Sequence, residues 1–261
     1  MLLLRQIKAI SMLSSLEYKA VHRKKFFGIF WKFMNPLILI IVYVFVFSIL
    51  YQSGSRGFMI STGILLFSGI SSTINSSTNW VEKKLHNFAG GPSGFNLYFA
   101  SKVYFNFIPI FYLNPVLIVI QRLFFNQDFK FTIQESLIIL AQLLALTFLT
   151  MIYCLILSIP ISIFAKRITD LKDIVPHILR ITTYLSPILW IAKTGNTIID
   201  LILQILNPFY FIFEILNLII YRSYDFSIFS IISPIILVSC CFKYCFRDKK
   251  YSKLIMESLY I

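Results

Sequence analysis

The sequence predicts an all-α membrane protein with six transmembrane helices, an N-terminal amphipathic interfacial helix, and short re-entrant helices between spans five and six. Of its 261 residues, 58% are hydrophobic and only 13% are charged, whereas soluble domains carry about 25% charged residues. Charged residues are absent from whole blocks, including residues 33–51 and 136–165. A helix of about 20 apolar residues crosses a hydrocarbon core of about 30 Å, so these blocks are long enough to span a membrane.

Residues 1–32 are predicted to form a cytoplasmic helix on the membrane surface. Basic and hydroxyl side chains recur at helical spacing on one face, and apolar side chains fall broadly opposite. The basic run at residues 22–25 is expected to bind anionic lipid headgroups. This segment has no apolar run followed by a small-residue cleavage site, so the first span is expected to act as its own insertion signal. The polar face consists of Arg5, Lys8, Ser11, Ser15 and Lys19.

Residues 33–242 are predicted to form the six-span bundle, and residues 243–261 a cytoplasmic tail, within a single transmembrane domain that covers residues 1–261. Lys and Arg concentrate on the cytoplasmic side of membrane proteins. With both ends inside, only five of the 24 Lys and Arg residues lie outside, namely Arg56, Arg122, Lys130, Lys193 and Arg222. This bias predicts cytoplasmic N- and C-termini. The predicted spans are residues 33–51, 57–75, 103–120, 136–165, 174–192 and 226–242.

One further apolar segment, residues 201–221, does not fit as a seventh span. Asn207 and Pro208 interrupt it, and Glu214 lies within it. A seventh span would also move the basic C-terminal residues outside, against the charge bias. We therefore expect a pair of short re-entrant or interfacial helices on the outer face. Irregular backbone at membrane depth is tolerated where protein or water covers it, so this pair is expected to cap a pathway.

Three short stretches of the sequence carry a family resemblance. The first runs through Trp31, Asn35 and Pro36 into the aromatic stretch of residues 42–47. The second is the Ser-Pro-Ile stretch at residues 186–188, and the third is Asn-Pro-Phe-Tyr at residues 207–210. In this order, they resemble the permease subunit of bacterial ABC exporters that move polysaccharides such as O-antigen across the inner membrane, a group of the ABC type-2 transporter family.

The resemblance implies a homodimeric channel that translocates a lipid-linked polysaccharide and is driven by two copies of a separate ABC ATP-binding subunit. That partner would bind ATP and Mg²⁺, so no cofactor, metal site or catalytic residue is expected in this chain. The sequence itself has no G-x-x-x-x-G-K-[ST] phosphate loop. Its net charge of +13 lies mainly beside the predicted spans, which favours contact with membrane lipids and not with nucleic acid. The expected location is the bacterial inner membrane.

The loop between spans two and three is predicted to couple the permease to the ATP-binding subunit. It is short and charged and carries one large aromatic side chain. The resemblance implies that it docks into the partner as a coupling helix. The alternative is an interfacial Trp flanked by lysines that reach toward the headgroups. The candidate coupling residues are Trp80, Glu82, Lys83, Lys84 and His86.

The substrate path is predicted to run along spans one and five. His177 and Arg180 are the ionisable side chains within the predicted spans, and such groups usually face protein or a water-filled cavity. Alternatively, Arg180 extends toward the headgroups or pairs with Asp170 or Asp173. The sequence also contains 27 Phe and 14 Tyr residues, whose rings can pack on the apolar faces of sugars, although a general compositional bias would raise the same counts. The candidate path residues are Tyr43, Phe47, His177, Arg180, Tyr184 and Trp190.

Two alternatives to a polysaccharide exporter remain open at this point. One is an exporter of the same architecture for a drug or small lipid. The other is a membrane-embedded sugar-phosphate or phospholipid transferase, which would hold Mg²⁺ with clustered carboxylates. Asp170, Asp173 and His177 share one helical face, but two acids are too few for such an enzyme. The four cysteines are expected to be inert thiols within or beside apolar segments.

Overall fold

The computed structural model of the chain describes residues 12, 16, 27–46, 54–79, 92–124, 132–188, 197–221, 227 and 229–247. Most of the predicted N-terminal interfacial helix lies outside these residues. The described part is helical, without a strand. A 3₁₀ turn, Gly28–Phe30, leads into eight α-helices: α1 Trp31–Val44, α2 Gly54–Ser77, α3 Pro92–Phe124, α4 Ile133–Arg167, α5 Leu171–Leu185, α6 Thr197–Leu206, α7 Tyr210–Tyr221 and α8 Phe229–Arg247.

Helices α2, α3 and α4 are long and apolar enough to cross a membrane. Their qualifying stretches are Arg56–Ser77, Phe99–Ile120 and Ile133–Ala165, and the bent pair α6–α7 would count as a fourth if it formed one span. The all-α fold predicted from the sequence is confirmed, and apolar helices of this length indicate a membrane protein. Helices α1 and α5 are shorter, with 14 and 15 residues, so the six-span count stays a prediction.

Helix α2 is the central helix of the bundle. It packs on α1, α3, α4, α5 and α7, and small side chains allow these close approaches. A Cβ atom at Gly69 would collide with the side chain of Ile110 on α3. The hydroxyls of Ser61 and Thr62 donate to carbonyls of their own helix, at Gly57 (2.6 Å) and Phe58 (2.8 Å). These two buried hydroxyls are therefore satisfied without a second helix.

The start of α1 and the end of α2 lie at the same level of α3. The Lys32 ammonium in the first turn of α1 donates to the carbonyl of Phe105. At the same level, Asn106 Nδ2 donates to Ser76 Oγ in the last turn of α2 (3.2 Å). The part of α3 that precedes Phe105 is about 20 Å long and carries buried side chains, among them Phe99, Ser101 and Val103.

Helix α4 has a well-defined start. The Thr132 side chain accepts a hydrogen bond from the Glu135 amide (3.2 Å), and the Glu135 carboxylate accepts one from the Thr132 amide (2.8 Å). This reciprocal capping box satisfies two amide groups that the first turn leaves without a helical partner.

Helix α5 ends earlier than the sequence pattern predicts. The apolar run favoured a span over residues 174–192, but the helix ends at Leu185 and Ser186 is extended, with ψ of 142°. Pro187 explains this difference, because a proline disfavours helical backbone at the residue before it. Residues 189–196 lie outside the described part of the chain.

Candidate functional site

Two helix breaks meet inside the bundle. The first is residues 186–188, at the end of α5, and the second is residues 207–209, between α6 and α7. The first break packs against the middle of α2, since a Cβ atom at Gly63 would lie 2.9 Å from Ile188 Cγ2. Gly63 is about 14 Å along α2 from its first residue. The break therefore lies at depth and not at the end of the bundle.

The two breaks are joined by a buried hydrogen-bond network. Asn207 Nδ2 donates to Ser186 Oγ (2.8 Å), and Ser186 Oγ donates in turn to the carbonyl of Thr182 (2.7 Å). Asn207 Oδ1 accepts from the Phe209 amide (3.0 Å), which closes a local turn. Ser186 and Asn207 are 0% and 1% exposed. Each break thus supplies partners for polar groups that have no access to water.

Tyr153 of α4 contacts the second break, residues 207–209, from a third helix. Its hydroxyl donates to the carbonyl of Pro208 (3.1 Å). Its ring packs edge-on against Phe209 and Phe211, with centroids 5.8 and 5.2 Å away. Tyr153 was not among the residues predicted from the sequence. The available signal was a tyrosine within the uncharged run of residues 136–165, because a buried Tyr hydroxyl usually finds a partner.

The pair α6–α7 is bent by 115°, the geometry of a broken span or a re-entrant loop. Its two legs differ in burial. Helix α7 is packed into the core through Ile212, Phe213 and Leu216, and Phe213 contacts Phe67 of α2 at 6.2 Å. Helix α6 presents Ile198 and Leu206, 68% and 65% exposed, and packs mainly on α8. One leg is thus fixed in the bundle, and the other forms part of its surface.

Helix α5 has two distinct faces. Val175, Leu179 and Thr182 are buried, and they face α2 and α4, the two helices on which α5 packs. The opposite face carries an exposed polar stripe, which we define as Asp173, His177, Arg180 and Tyr184. The spacing i, i+4, i+7, i+11 places these four side chains one above another along the helix. The stripe therefore points away from the chain's own bundle.

Within the described residues, the side chains of His177 and Arg180 make no hydrogen bond and no ion pair. The pairing of Arg180 with Asp170 or Asp173, considered from the sequence, is not formed, and the Asp170 carboxylate instead accepts from the Thr169 hydroxyl (3.3 Å). The described residues also contain no group of three His, Cys, Asp or Glu side chains arranged to hold a metal ion. The stripe is thus presented outward, toward whatever lies beside the chain.

Tyr43 of α1 occupies a different environment from Tyr184. It is half-buried and packs against the core, whereas Tyr184 is 65% exposed. Helices α1 and α5 both pack on α2 but share no substantial contact with each other in the described structure. The structure therefore does not bring the two predicted path segments together within one chain.

The remaining predicted site residues fall outside the described residues. They are the path candidates Phe47 and Trp190 and the whole set of coupling candidates, Trp80, Glu82, Lys83, Lys84 and His86. Their roles stay predictions.

Comparisons with known proteins add no relative to this description. No protein-family model matches the chain, and no curated protein matches it. The resemblance to polysaccharide exporters therefore enters below as a proposal.

Proposed function

We propose that this chain is the channel-forming transmembrane subunit of an ATP-driven exporter that moves a lipid-linked polysaccharide, such as O-antigen, out of the cytoplasm. The observation that carries the proposal is the polar stripe of α5, which faces away from its own bundle in a chain built from apolar helices. Placing an Arg at the centre of a membrane helix costs roughly 2.5–3.5 kcal/mol on insertion scales. A second copy of the chain, with a water-filled path between the two, removes this cost.

A glycan suits the chemistry of such a path. The Tyr184 ring is exposed, and an exposed ring offers an apolar face for a sugar together with a hydroxyl for exchangeable hydrogen bonds. Neighbouring Thr183 has its hydroxyl engaged with the carbonyl of Leu179 (2.9 Å). A path lined by single rings of this kind would make weak, separate contacts, which would allow a long polymer to slide without a deep trap.

The proposed topology keeps both ends of the chain in the cytoplasm of a bacterial inner-membrane protein. Helices α1, α2, α3, α4, α5 and α8 belong to the six spans, and α6–α7 enters and leaves from the outer face. The 115° bend of that pair supports this arrangement. The buried network around Asn207 supports it as well, because it satisfies polar groups where the chain turns at depth.

The motor in this proposal is a pair of ABC ATP-binding subunits, which bind ATP and Mg²⁺. They dock at the end of the bundle where α1 begins, beside the loop that contains Trp80. The contacts of Lys32 with Phe105 and of Asn106 with Ser76 support this choice of end, because they place the last turn of α2, which precedes that loop in the sequence, level with the start of α1.

Cysteine chemistry tests the path between two copies. In a background without the native cysteines, Tyr184→Cys should react with a charged, membrane-impermeant thiol reagent in opened membranes and should cross-link two chains on oxidation. Leu179→Cys, on the buried face of the same helix, is the matched control and should do neither. If Tyr184→Cys reacts only with an apolar maleimide and never cross-links, the stripe faces lipid and the proposed path is wrong.

A cellular measurement tests the substrate. Removing the chain should abolish the surface glycan and cause its lipid-linked form to accumulate inside the cell. Normal surface glycan together with a new drug sensitivity would indicate that the substrate is a small molecule and not a polysaccharide. The proposed architecture would then stand unchanged.

A further inference from the structure

Arg180 lies near the middle of α5, on its outward face. It is nine residues into α5, about 14 Å from the start of the helix, and about 9 Å before the buried break at Ser186. Asp173 is a further two turns back along the stripe, about 10 Å away, so its carboxylate does not neutralise the guanidinium directly.

An apolar stripe runs beside the polar one. Ile174, Ile178 and Ile181 are 46%, 52% and 58% exposed, and their spacing places them along one edge of the same face. Helix α5 therefore presents a cation and an uninterrupted row of branched aliphatic side chains side by side. This pattern is complementary to an amphiphile that has an anionic group and a hydrocarbon chain.

The symmetry of a dimer limits which molecule can bind between the two α5 helices. In a dimer whose two-fold axis runs along the membrane normal, equivalent residues of the two copies lie at the same depth. The two Arg180 side chains then face the same cleft, where direct packing would bring two like charges together away from water. An anion between them converts this repulsion into attraction. Guanidinium groups bind phosphate through paired hydrogen bonds, so a phosphate group fits this position.

We propose that the Arg180 side chains of the two copies, with His177 beside them, bind the phosphate or diphosphate that joins the exported glycan to its lipid carrier. This inference rests on the proposed function and specifies how that path holds its substrate. The carrier's hydrocarbon chain lies along Ile174, Ile178 and Ile181, and the sugar extends toward Tyr184.

The test uses purified full-length dimer in nanodiscs of phosphatidylcholine, with a fluorescent prenyl diphosphate as the probe and the matching prenyl alcohol as the phosphate-free control. Wild-type protein should bind the diphosphate more tightly than the alcohol. Arg180→Gln should weaken diphosphate binding about tenfold or more, the effect of losing about 1.4 kcal/mol of a charge-assisted contact. Binding of the alcohol should not change.

Two further variants keep the test decisive. Arg180→Lys retains the charge but loses the paired geometry, so its loss should be intermediate and its folding less at risk. Lys243→Gln removes one exposed cation from α8, away from the stripe, and should leave diphosphate binding at the wild-type level. Equal diphosphate affinity in wild type and Arg180→Gln overturns the proposal, as does an equal loss in Lys243→Gln.

A competition experiment distinguishes binding of the lipid-linked substrate from binding of an ordinary membrane lipid. Unlabelled prenyl diphosphate should displace the probe, and phosphatidylglycerol at the same concentration should not. Displacement by phosphatidylglycerol alone would show that Arg180 holds an ordinary headgroup, and would overturn the substrate assignment. If Tyr184→Cys still cross-links and Arg180→Gln abolishes export while binding the probe normally, the anion site is wrong although the proposed exporter stands. If Tyr184→Cys does not cross-link and substitutions on this face leave export unchanged, the exporter proposal itself is wrong.

Discussion

Helices α2 and α5 lie against each other, yet they are built from different side chains. Helix α2 is covered by five neighbours, and the buried hydroxyls of Ser61, Thr62 and Ser77 bond to carbonyls of their own helix, although the buried Thr73 hydroxyl has no partner within the described residues. Helix α5 is covered on one side only and turns Arg180 and His177 outward. A helix whose polar groups are mostly satisfied within it can be packed on every side. A helix with outward ionisable groups presents them to whatever lies beside the chain, and this difference separates the scaffold from the candidate path.

The comparison predicts its largest effect at the contact between α2 and α3. Gly69→Val should reduce the yield of folded protein, because the added Cβ displaces the end of the Ile110 side chain and the two further methyl groups crowd Ile110 and the buried Phe107 ring. Overpacking of this kind costs about 1–3 kcal/mol or more. The measurement is the yield of detergent-extracted protein that elutes as a single species, with its thermal unfolding midpoint. Ser72→Ala, at an exposed position of the same helix, is the control. Unchanged yield for Gly69→Val would show that α2 is less tightly enclosed than described.

A smaller effect is predicted at the network that ends α5. Asn207→Ala should destabilise the protein by about 1–3 kcal/mol, since it leaves buried polar groups without their partner. Ser186→Ala removes the acceptor of the same hydrogen bond (2.8 Å). The two changes should therefore be less than additive when combined, with a coupling of roughly 0.5–3 kcal/mol.

Thermal or denaturant unfolding of the two single variants and the double variant measures this coupling. Tyr153→Phe, which removes a different hydrogen bond to the same break, provides a comparison for the loss of one hydroxyl. Additive effects of Asn207→Ala and Ser186→Ala would show that the two breaks are not energetically joined.

The sequence was sufficient to predict some features of the fold and insufficient for others. Apolar runs and turn residues predicted the order of the helices and the interruption at Asn207, because hydrophobic length and proline chemistry are local properties. The early end of α5 was missed since the apolar run continues past Pro187, and hydropathy does not record a backbone break. The link from Tyr153 to Pro208 joins residues 55 positions apart, and no single-sequence pattern encodes such a contact.

The candidate site likewise has features that the sequence predicts and features that it does not. The placement of His177, Arg180 and Tyr184 on one face follows from helical spacing alone, and the structure agrees with it. Their orientation away from the bundle did not follow, because the sequence cannot tell which face of α5 the other helices cover. The burial of Val175 and Leu179 on the opposite face supplies that information. The role of Tyr43 as a path ring stays a prediction, and the structure adds that this ring is half-buried against the core.

The smallest expected effect on stability is that of Tyr184→Ala, and Tyr43→Ala provides the contrast between the two kinds of helix surface. Tyr43 packs against the core, so Tyr43→Ala should lower the yield of folded protein, at a cost below the roughly 3–5 kcal/mol of a fully buried aromatic ring. Tyr184 is 65% exposed and has little packing to lose. Tyr184→Ala should therefore leave the yield unchanged, and under the proposed function it should reduce the surface glycan or shorten the exported chains. The informative measurement pairs the yield of extracted protein with the surface glycan for each variant, and Leu179→Ala on the buried face of α5 serves as a packing control. Reduced yield with normal glycan per folded molecule for Tyr184→Ala would make that ring a packing residue and would place the path away from α5.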